Sequence, residues 1–537
     1  MEKSKVVFTD IETTSLHFMN GVIRLIAFAE GNSEVVTQTV VDDELREILK
    51  NKDILKVFHN AKFDVEFFIH NGYEVNNYSC TLVMAQVLGE KELSLKALTN
   101  KYLGIEMNKS MQDSKNWSDD KLTQEHIDYA INDVTNTRLL YYRLLDELAK
   151  RNLLETYERE RRALPSIVML ELNGIKMNFD QWNKVLDYDR ELCDEIQRDV
   201  RGILGLEELN LNSPKQIVEA LYEYGIKLYS TSDDELAKYS DDHEVVKLIR
   251  KYRKLKTKIR TYGDKMKTFL CEDGRIRGSW WLIGATSGRM SCSNPPLQAM
   301  PSSSKEFFVA EKGNKLICAD YSQVELRVLA SISRDETLIN YFNEGVDLHA
   351  GTASLVFNKP MEEVTKEERQ VGKSLNFGIC YGITAYGIQK NLRKFGIDIS
   401  LEESERYRVE FLKGYPKIKE LQDKLLRANG IMSLGGRYWE GRALSMTQRL
   451  NIPIQGSAAE GLKEALALLV CNIKSSWKLV AVVHDEVVIE VGEDDVEEAK
   501  DVLKCCMING MKKIIKNIPV IVDISISNNW CKEKEEL

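Results

Sequence analysis

The chain has 537 residues, too many for one core and enough for two to four domains. Hydrophobic residues make up 43% and charged residues 29%, a soluble globular balance, and no apolar run reaches the length that crosses a bilayer. The net charge of -9 excludes a protein that simply coats nucleic acid, though not one with a single basic groove.

The ten cysteines, at 80, 193, 271, 292, 318, 380, 471, 505, 506 and 531, form no C-x-x-C pair. That argues against a zinc knuckle and for reduced thiols in a cytosol-like compartment. The N-terminus enters a strand at Val6 with no signal-peptide segment before it, so a cytoplasmic location is expected.

The first predicted element is an apolar strand, Val6 to Phe8, in "KVVFTDIETTSL". It continues through Asp10 and Glu12, and side chains two apart on a strand share a face. "FHNAKFDVEFF" then places Asn60 and Asp64 at helical spacing, and "HIDYAINDVTNT" does the same for Tyr129 and Asp133. Strand, helix and helix each offer a carboxylate. Two divalent ions about 4 Å apart need such an all-oxygen cage to drive phosphodiester hydrolysis. Tyr129 could orient the attacking water. Each piece alone also fits side chains that merely face solvent.

From Lys247 to Lys267 the chain holds ten Lys or Arg and one acid, Asp264. Leu248, Tyr252, Leu255, Ile259, Tyr262, Met266 and Phe269 are spaced as one apolar helix seam. The basic remainder reads either as a solvated face or as a helix turned to phosphates, and the near-absence of acids favours phosphates.

"NKLICADYSQVELRVLASI" predicts a strand, Leu316 to Ala319, ending in Asp320 at a strand-to-helix junction exposed at a sheet edge. "ERQVGKSLNFGICYGI" spaces Arg369, Lys373, Phe377 and Tyr381 by four on one helix face. Two cations and two aromatics in a row suit a nucleoside triphosphate. Taken alone they also fit an amphipathic helix with core aromatics and snorkelling cations.

"LVAVVHDEVVIEV" reads as two buried strands with a turn at His484, Asp485 and Glu486. Alone it suggests a turn facing water. Beside Asp320 it suggests two facing carboxylates, which repel unless cations lie between them.

The N-terminal set resembles the three motifs of the DEDD-type 3′–5′ exonucleases, in the variant with Tyr in the third motif, over about residues 1–150. The resemblance implies Asp10, Glu12, Asp64 and Asp133 as metal ligands and Tyr129 as a catalytic group. "DYSQVELR", "RQVGKSLNFGICYG" and "VHDEV" resemble motifs A, B and C of the family A DNA polymerases. "ATSGRMSCSNPPLQAMP" (285–301) and "NIPIQGSAAEGLKEAL" (451–466) are similar to further segments of that family, as are "NLNSPKQI" (210–217) and "GVDLHAGTASLVF" (345–357).

This likeness implies an α/β multidomain chain. A ribonuclease H-like exonuclease (1–150) is followed by a right-hand polymerase (151–537), with thumb about 180–275, palm about 276–335 and 446–537, and fingers about 336–445. It implies that Asp320, Asp485 and the backbone carbonyl of Tyr321 bind two Mg2+ ions, with Mn2+ able to substitute. Glu486 supports that site. Arg369 and Lys373 grip phosphates, with Lys373 a proton donor to pyrophosphate. Gln323 and His349 are further triphosphate contacts. Phe377 packs on the incoming sugar and base, Glu325 blocks a ribose 2′-hydroxyl, and Tyr381 sits at the template position. Arg289, Gln298, Asn451, Gln455 and His484 contact the primer-template, mostly in the minor groove, whose acceptors vary little with sequence.

The chain departs from the family at Pro296, where Asn is usual, and at Thr447, where Arg is usual, with Arg449 displaced by two. A triphosphate-contacting Arg is missing from "AMPSSSKEFF", where Lys305 could substitute. The match begins at the exonuclease and leaves no room for a large thumb insertion. The expectation is therefore a monomeric replicative polymerase of the bacteriophage type in the host cytoplasm. It would act on primer-template DNA and dNTPs, with helicase, primase or single-strand-binding protein as partners. A repair polymerase, a nuclease whose polymerase half only binds DNA, and a non-enzymatic scaffold are the competing readings. The intact carboxylates stand against the last two.

Overall fold

The computed structural model describes residues 5–108, 111, 113–118 and 121–530; of Cys380 only the backbone is described, and Cys531 lies outside the described residues. The first 80 residues build a five-stranded sheet. Its order in space is Val36–Gln38, Ile23–Glu30, Val6–Thr13, Leu55–Phe58, Tyr78–Cys80. The first three strands pair antiparallel and the last two join parallel, which is the expected ribonuclease H-like plan. In the central strand Asp10 and Glu12 are half-buried, while Ile11 and Thr13 between and beyond them are buried. The period of two thus sets both carboxylates on one face. The helix Gln124–Lys150 packs on this sheet with Ala130, Val134 and Leu140.

Asn60 differs from expectation. It is the residue before the helix Ala61–His70, in the left-handed region at φ 65°, and not a helical partner of Asp64.

The helix Leu154–Asn173 is the strut between the two halves. It buries Tyr157, Leu164, Ile167 and Leu170, and it packs on the helix Ala61–His70, the helix Met446–Asn472 and the strand Lys478–Val483. Among the described residues one continuous core joins the first sheet to the second, and a helical segment around 193–252 has a core of its own. Lys62 crosses the same boundary. Its Nζ donates to Glu171 at 2.7 Å, to Ser279 Oγ at 3.2 Å and to the Trp280 carbonyl at 2.9 Å.

The second sheet is antiparallel, in the order Lys478–Val483, Glu486–Gly492, Asn314–Tyr321, Val522–Ser527. The strand that carries Asp320 is therefore interior, not at a sheet edge as its sequence suggests. An apolar run reads alike for an interior strand and a covered edge strand. The expected hairpin forms, but its turn is His484 and Asp485 alone: Glu486 already belongs to the second strand, opposite Val483, and His484 stands at φ 58°.

The basic helix also differs. It runs Glu244–Tyr262 and breaks at Gly263; of the expected seam Tyr252, Tyr262 and Met266 are buried, whereas Leu248 and Leu255 are only half-buried and Val245, Val246 and Ile249 join the buried face instead. Lys258 pairs with Asp189 at 2.7 Å and Arg250 with Asp233 at 2.8 Å, so part of the expected phosphate-facing charge is used within the fold.

Residues 336–427 form six α-helices and one short 3-10 helix, Met361–Glu363. The one at Lys366–Cys380 starts in a capping box, Thr365 with Glu368, and turns Val371, Leu375 and Ile379 inward. Among the described residues no disulfide links cysteines, and no helix is long and apolar enough to cross a membrane.

The helices Met446–Asn472 and Val496–Ile514 lie in close contact. A Cβ added at Gly510 would stand 2.3 Å from the backbone nitrogen of Ala465, a clash with no flexible group to yield. Gly510→Ala is therefore expected to lower stability by about 1–3 kcal/mol, read as a lower urea midpoint. Gly202→Ala, where a Cβ would meet nothing within 4 Å, serves as the control and should hold or raise the midpoint.

Candidate active sites

Two groups of carboxylates form, one on each sheet. In the first, ligand-capable oxygens of Asp10, Glu12 and Asp133 all lie within 4.8 Å of one another. Asp64 joins them from the helix Ala61–His70. It is 1% exposed and accepts from the backbone N–H of Ile11 at 3.1 Å, between the two strand carboxylates. Burial, and then Asp10, hold the Asp64 carboxyl well above the usual range. Tyr129 hydrogen-bonds Asp133. Burial, then Asp133, Glu12 and Asp10, push its phenol up, so it stays protonated. All five expected residues thus meet.

The second group lines a cavity of about 430 Å³. Asp320, His484, Asp485, Glu486, Ser302, Lys305 and Trp530 surround it. Asp320 comes from the interior strand and Asp485 from the two-residue turn beside it. The Tyr321 N–H donates to the Asp485 carbonyl at 3.4 Å. The Tyr321 side chain is buried and donates to the Met507 carbonyl at 2.7 Å, and Tyr321 is not among the residues that line the cavity. Burial, and then Asp320, push the Asp485 carboxyl up to about 7. All-carboxylate groups whose charge is held back by burial and by one another are the donor chemistry of hard divalent cations. The residues present fit such ions at both places.

Glu486 is 5% exposed and accepts from Lys305 at 3.0 Å and from the Trp530 indole at 2.8 Å. The Lys305 ammonium lies 4.6 Å from the centre of the Trp530 ring. The cation suggested at Lys305 is thus in the cavity. Trp530 is the functional neighbour that sequence reasoning missed. A single Trp in a polar tail has no spacing to mark it, although an indole N–H that must find a partner when buried was a signal.

Along the helix Lys366–Cys380, Arg369, Lys373 and Phe377 are exposed. Core aromatics are therefore not the reason for this face. Tyr381 lies one residue past the helix as its cap, not on its face as expected. With Lys373, Phe377 and Thr447 it lines a second cavity of about 600 Å³. Arg369 pairs with Asp347 at 2.7 Å. His349 is buried, its ring 5.8 Å from that of Phe377, and burial, then Arg369, lower its pKa to about 4. Gln323 precedes the helix Val324–Ser333 at φ 54°.

Of the expected DNA contacts, His484 is in the first cavity, and burial, then Arg289 and Lys305, lower its pKa. Arg289 forms an ion pair with Glu325. Gln298 donates to the Val482 carbonyl at 3.0 Å. Asn451 and Gln455 are half-buried on the helix Met446–Asn472. Arg449 does not replace the missing Arg. It is turned to the carbonyls of Leu426 and Ala428 at 2.8 and 3.1 Å.

Residues 1–149 match the family model described as 3′-5′ exonuclease, and residues 183–532 match that of DNA polymerase family A. DNA polymerase I of Aquifex aeolicus (strain VF5) is 32% identical over 574 aligned positions, which cover 99% of this chain and 97% of that protein. DNA polymerase I of Caldicellulosiruptor bescii is 33% identical over 437 positions, and there the match spans half of the relative's length. A solved structure described as the POL domain of Pol1 from M. smegmatis, in complex with DNA primer-template and dNTP, has the same fold. The TM-score is 0.85 at 23% identity, over 98% of this chain and 96% of that one.

The raised pKa of Asp485 has a consequence for stability. The metal-free fold tolerates the neutral acid better than the carboxylate. That stability is full below the ordinary 3.8 and is lost as pH rises through about 7. Asp485→Asn keeps the shape without the charge. In EDTA it should raise unfolding free energy at pH 8 on the order of 2–4 kcal/mol, with the gain shrinking towards pH 4. Denaturant melts across this range check it, and a gain independent of pH would contradict it.

Proposed function

Because the chain belongs to the family A DNA polymerases and carries a 3′–5′ exonuclease domain ahead of the polymerase, we propose that it extends primed DNA templates with dNTPs by two-metal nucleotidyl transfer and edits the growing 3′ end at its first sheet. The observation that carries this reading is the joining of two carboxylate groups on separate sheets, Asp10, Glu12, Asp64 and Asp133 on one and Asp320 and Asp485 on the other. Divalent magnesium, when bound, supplies activation of the primer 3′-hydroxyl and neutralises charge on the leaving pyrophosphate.

The protein's own residues do the rest. Asp320 and Asp485 hold the ions, and the Tyr321 carbonyl assists. Glu486 is kept in place by Lys305 and Trp530 and supports the cavity. Lys305 adds a cation on the pyrophosphate side. Arg369 and Lys373 draw the triphosphate to the exposed face of their helix, and Lys373 can give a proton to the leaving group. Phe377 covers the incoming sugar, and Glu325 closes the space a 2′-hydroxyl needs. In the exonuclease, Tyr129 orients water for attack on the terminal phosphodiester. A replicative role in a bacteriophage, in the host cytoplasm and beside a helicase, primase or single-strand-binding protein, belongs to this reading. Full DNA replication in cells lacking the gene would move the enzyme to repair.

The primary test is extension of a labelled primer with dNTPs and magnesium, alongside degradation without dNTPs. Growth and shortening together are expected, and shortening alone would leave a nuclease whose other half only binds DNA. The two activities should separate, because they use different carboxylates. Asp10→Ala should abolish degradation and spare extension, and Asp485→Ala should do the reverse. Parental extension by Asp485→Ala would remove the hairpin from catalysis.

Phe377 predicts terminator behaviour. A Tyr hydroxyl there could replace the absent 3′-hydroxyl of a dideoxynucleotide on the triphosphate, whereas Phe leaves that oxygen unmet. An unmet buried bond to a charged group costs roughly 1.5–3 kcal/mol, or about tenfold or more in selection. Strong discrimination against ddNTPs is expected, and Phe377→Tyr should largely erase it. Measured in an Asp10→Ala background, a ddNTP-to-dNTP ratio already near one would place Phe377 away from the sugar.

A further inference from the structure

Glu325 lies in the first turn of the helix Val324–Ser333, with its side chain 17% exposed. Its charged partner is Arg289, whose Nη2 donates to Glu325 Oε1. Burial raises the pKa of Glu325, and the Arg289 guanidinium opposes that rise.

Arg289 itself has little freedom to move. Its backbone carbonyl accepts from the N–H groups of Gly284 and Ala285 at 2.9 and 3.1 Å, which closes the turn. The preceding Gly288 stands at φ 86°, and a Cβ there would lie 2.9 Å from Arg437 Nε. The Gly288 carbonyl accepts from Lys463 Nζ at 2.7 Å. Lys463 and Arg437 both bond Glu160, and the side chains of all three are at most 5% exposed. A buried three-residue ion cluster therefore fixes the turn, and the turn presents the arginine. The planar fork of Arg suits a carboxylate as the rotating point charge of Lys does not.

We infer that Arg289 is a positioning residue for sugar selection, holding the Glu325 carboxylate where it excludes a ribose 2′-hydroxyl. The inference rests on the proposed gating role of Glu325. An unheld glutamate would sample several rotamers and leave the space open part of the time. A role confined to gripping the primer-template would slow ribo- and deoxyribonucleotides alike.

The test is single-turnover incorporation of CTP and dCTP opposite a template G. All variants are built in the Asp10→Ala background, so that excision does not distort the ratio. Glu325→Ala should raise the CTP-to-dCTP efficiency ratio. Arg289→Met should raise it at least about fivefold, and the double variant should be no more permissive than Glu325→Ala alone. Arg289→Lys, which keeps the charge without the fork, should give an intermediate ratio and supplies the reading if Arg289→Met is too slow to follow. A parental ratio in the Arg289 variants, with Glu325→Ala permissive, overturns the inference and leaves the gate standing. Effects that multiply in the double variant overturn it too. A parental ratio in Glu325→Ala removes the gate itself, and this inference with it.

Discussion

Carboxylates brought together in a partly buried pocket repel, and nothing in an apolar core compensates them. This protein makes that arrangement twice, and much of its architecture serves to hold it. The two strands that carry acids, Val6–Thr13 and Asn314–Tyr321, are interior strands paired on both sides, so their backbones cannot yield to the repulsion. The partner acids arrive from elements fixed independently, a helix for Asp64, another for Asp133 and a two-residue hairpin turn for Asp485. Rigid placement of mutually repelling groups is the condition under which cation affinity becomes high and specific.

Charge also organises the interior away from these pockets. Arg159 reaches Glu460 and Glu464, Arg162 and Lys513 reach Glu464, and Lys463 and Arg437 meet on Glu160. Buried pairs of this kind add little net stability, but breaking one leaves a stranded charge and costs about 3–5 kcal/mol. Their value here is geometric. The cluster ties the helix Leu154–Asn173 to the helix Met446–Asn472 and to the loop before Tyr438. An apolar contact could slide, whereas charges with directed bonds fix register.

How much was legible in the sequence depended on the range of the interaction. Asp10 with Glu12, and Tyr129 with Asp133, share an element, so spacing alone sets their common face. The hairpin carrying Asp485 was legible because its strands hold near-continuous apolar runs, Leu479–Val483 and Val487–Ile489, on either side of the turn. The place of Asp320's strand inside its sheet was not, since burial on both faces looks the same from either side of a sheet. The break at Gly263 escaped the seam because periodicity counts side chains and ignores the backbone. The pairing of Arg289 with Glu325, and the meeting of Lys305, Glu486 and Trp530, join residues far apart in the chain. No local pattern announces such contacts.

Lys62 stands two residues from Asp64 on the same helix, and its three bonds to Glu171, Ser279 and Trp280 cross to the other half of the molecule. The helix that carries Asp64 is thereby moored to the second half of the molecule. On the proposed reading, the nuclease does not swing to the primer; the primer end must come to it. Reaching the first sheet then requires the terminal base pairs to open and the freed strand to travel. A sound terminus opens seldom, and a mismatched one opens often. The mooring would turn the strength of the last few base pairs into the clock that decides between adding a nucleotide and removing one.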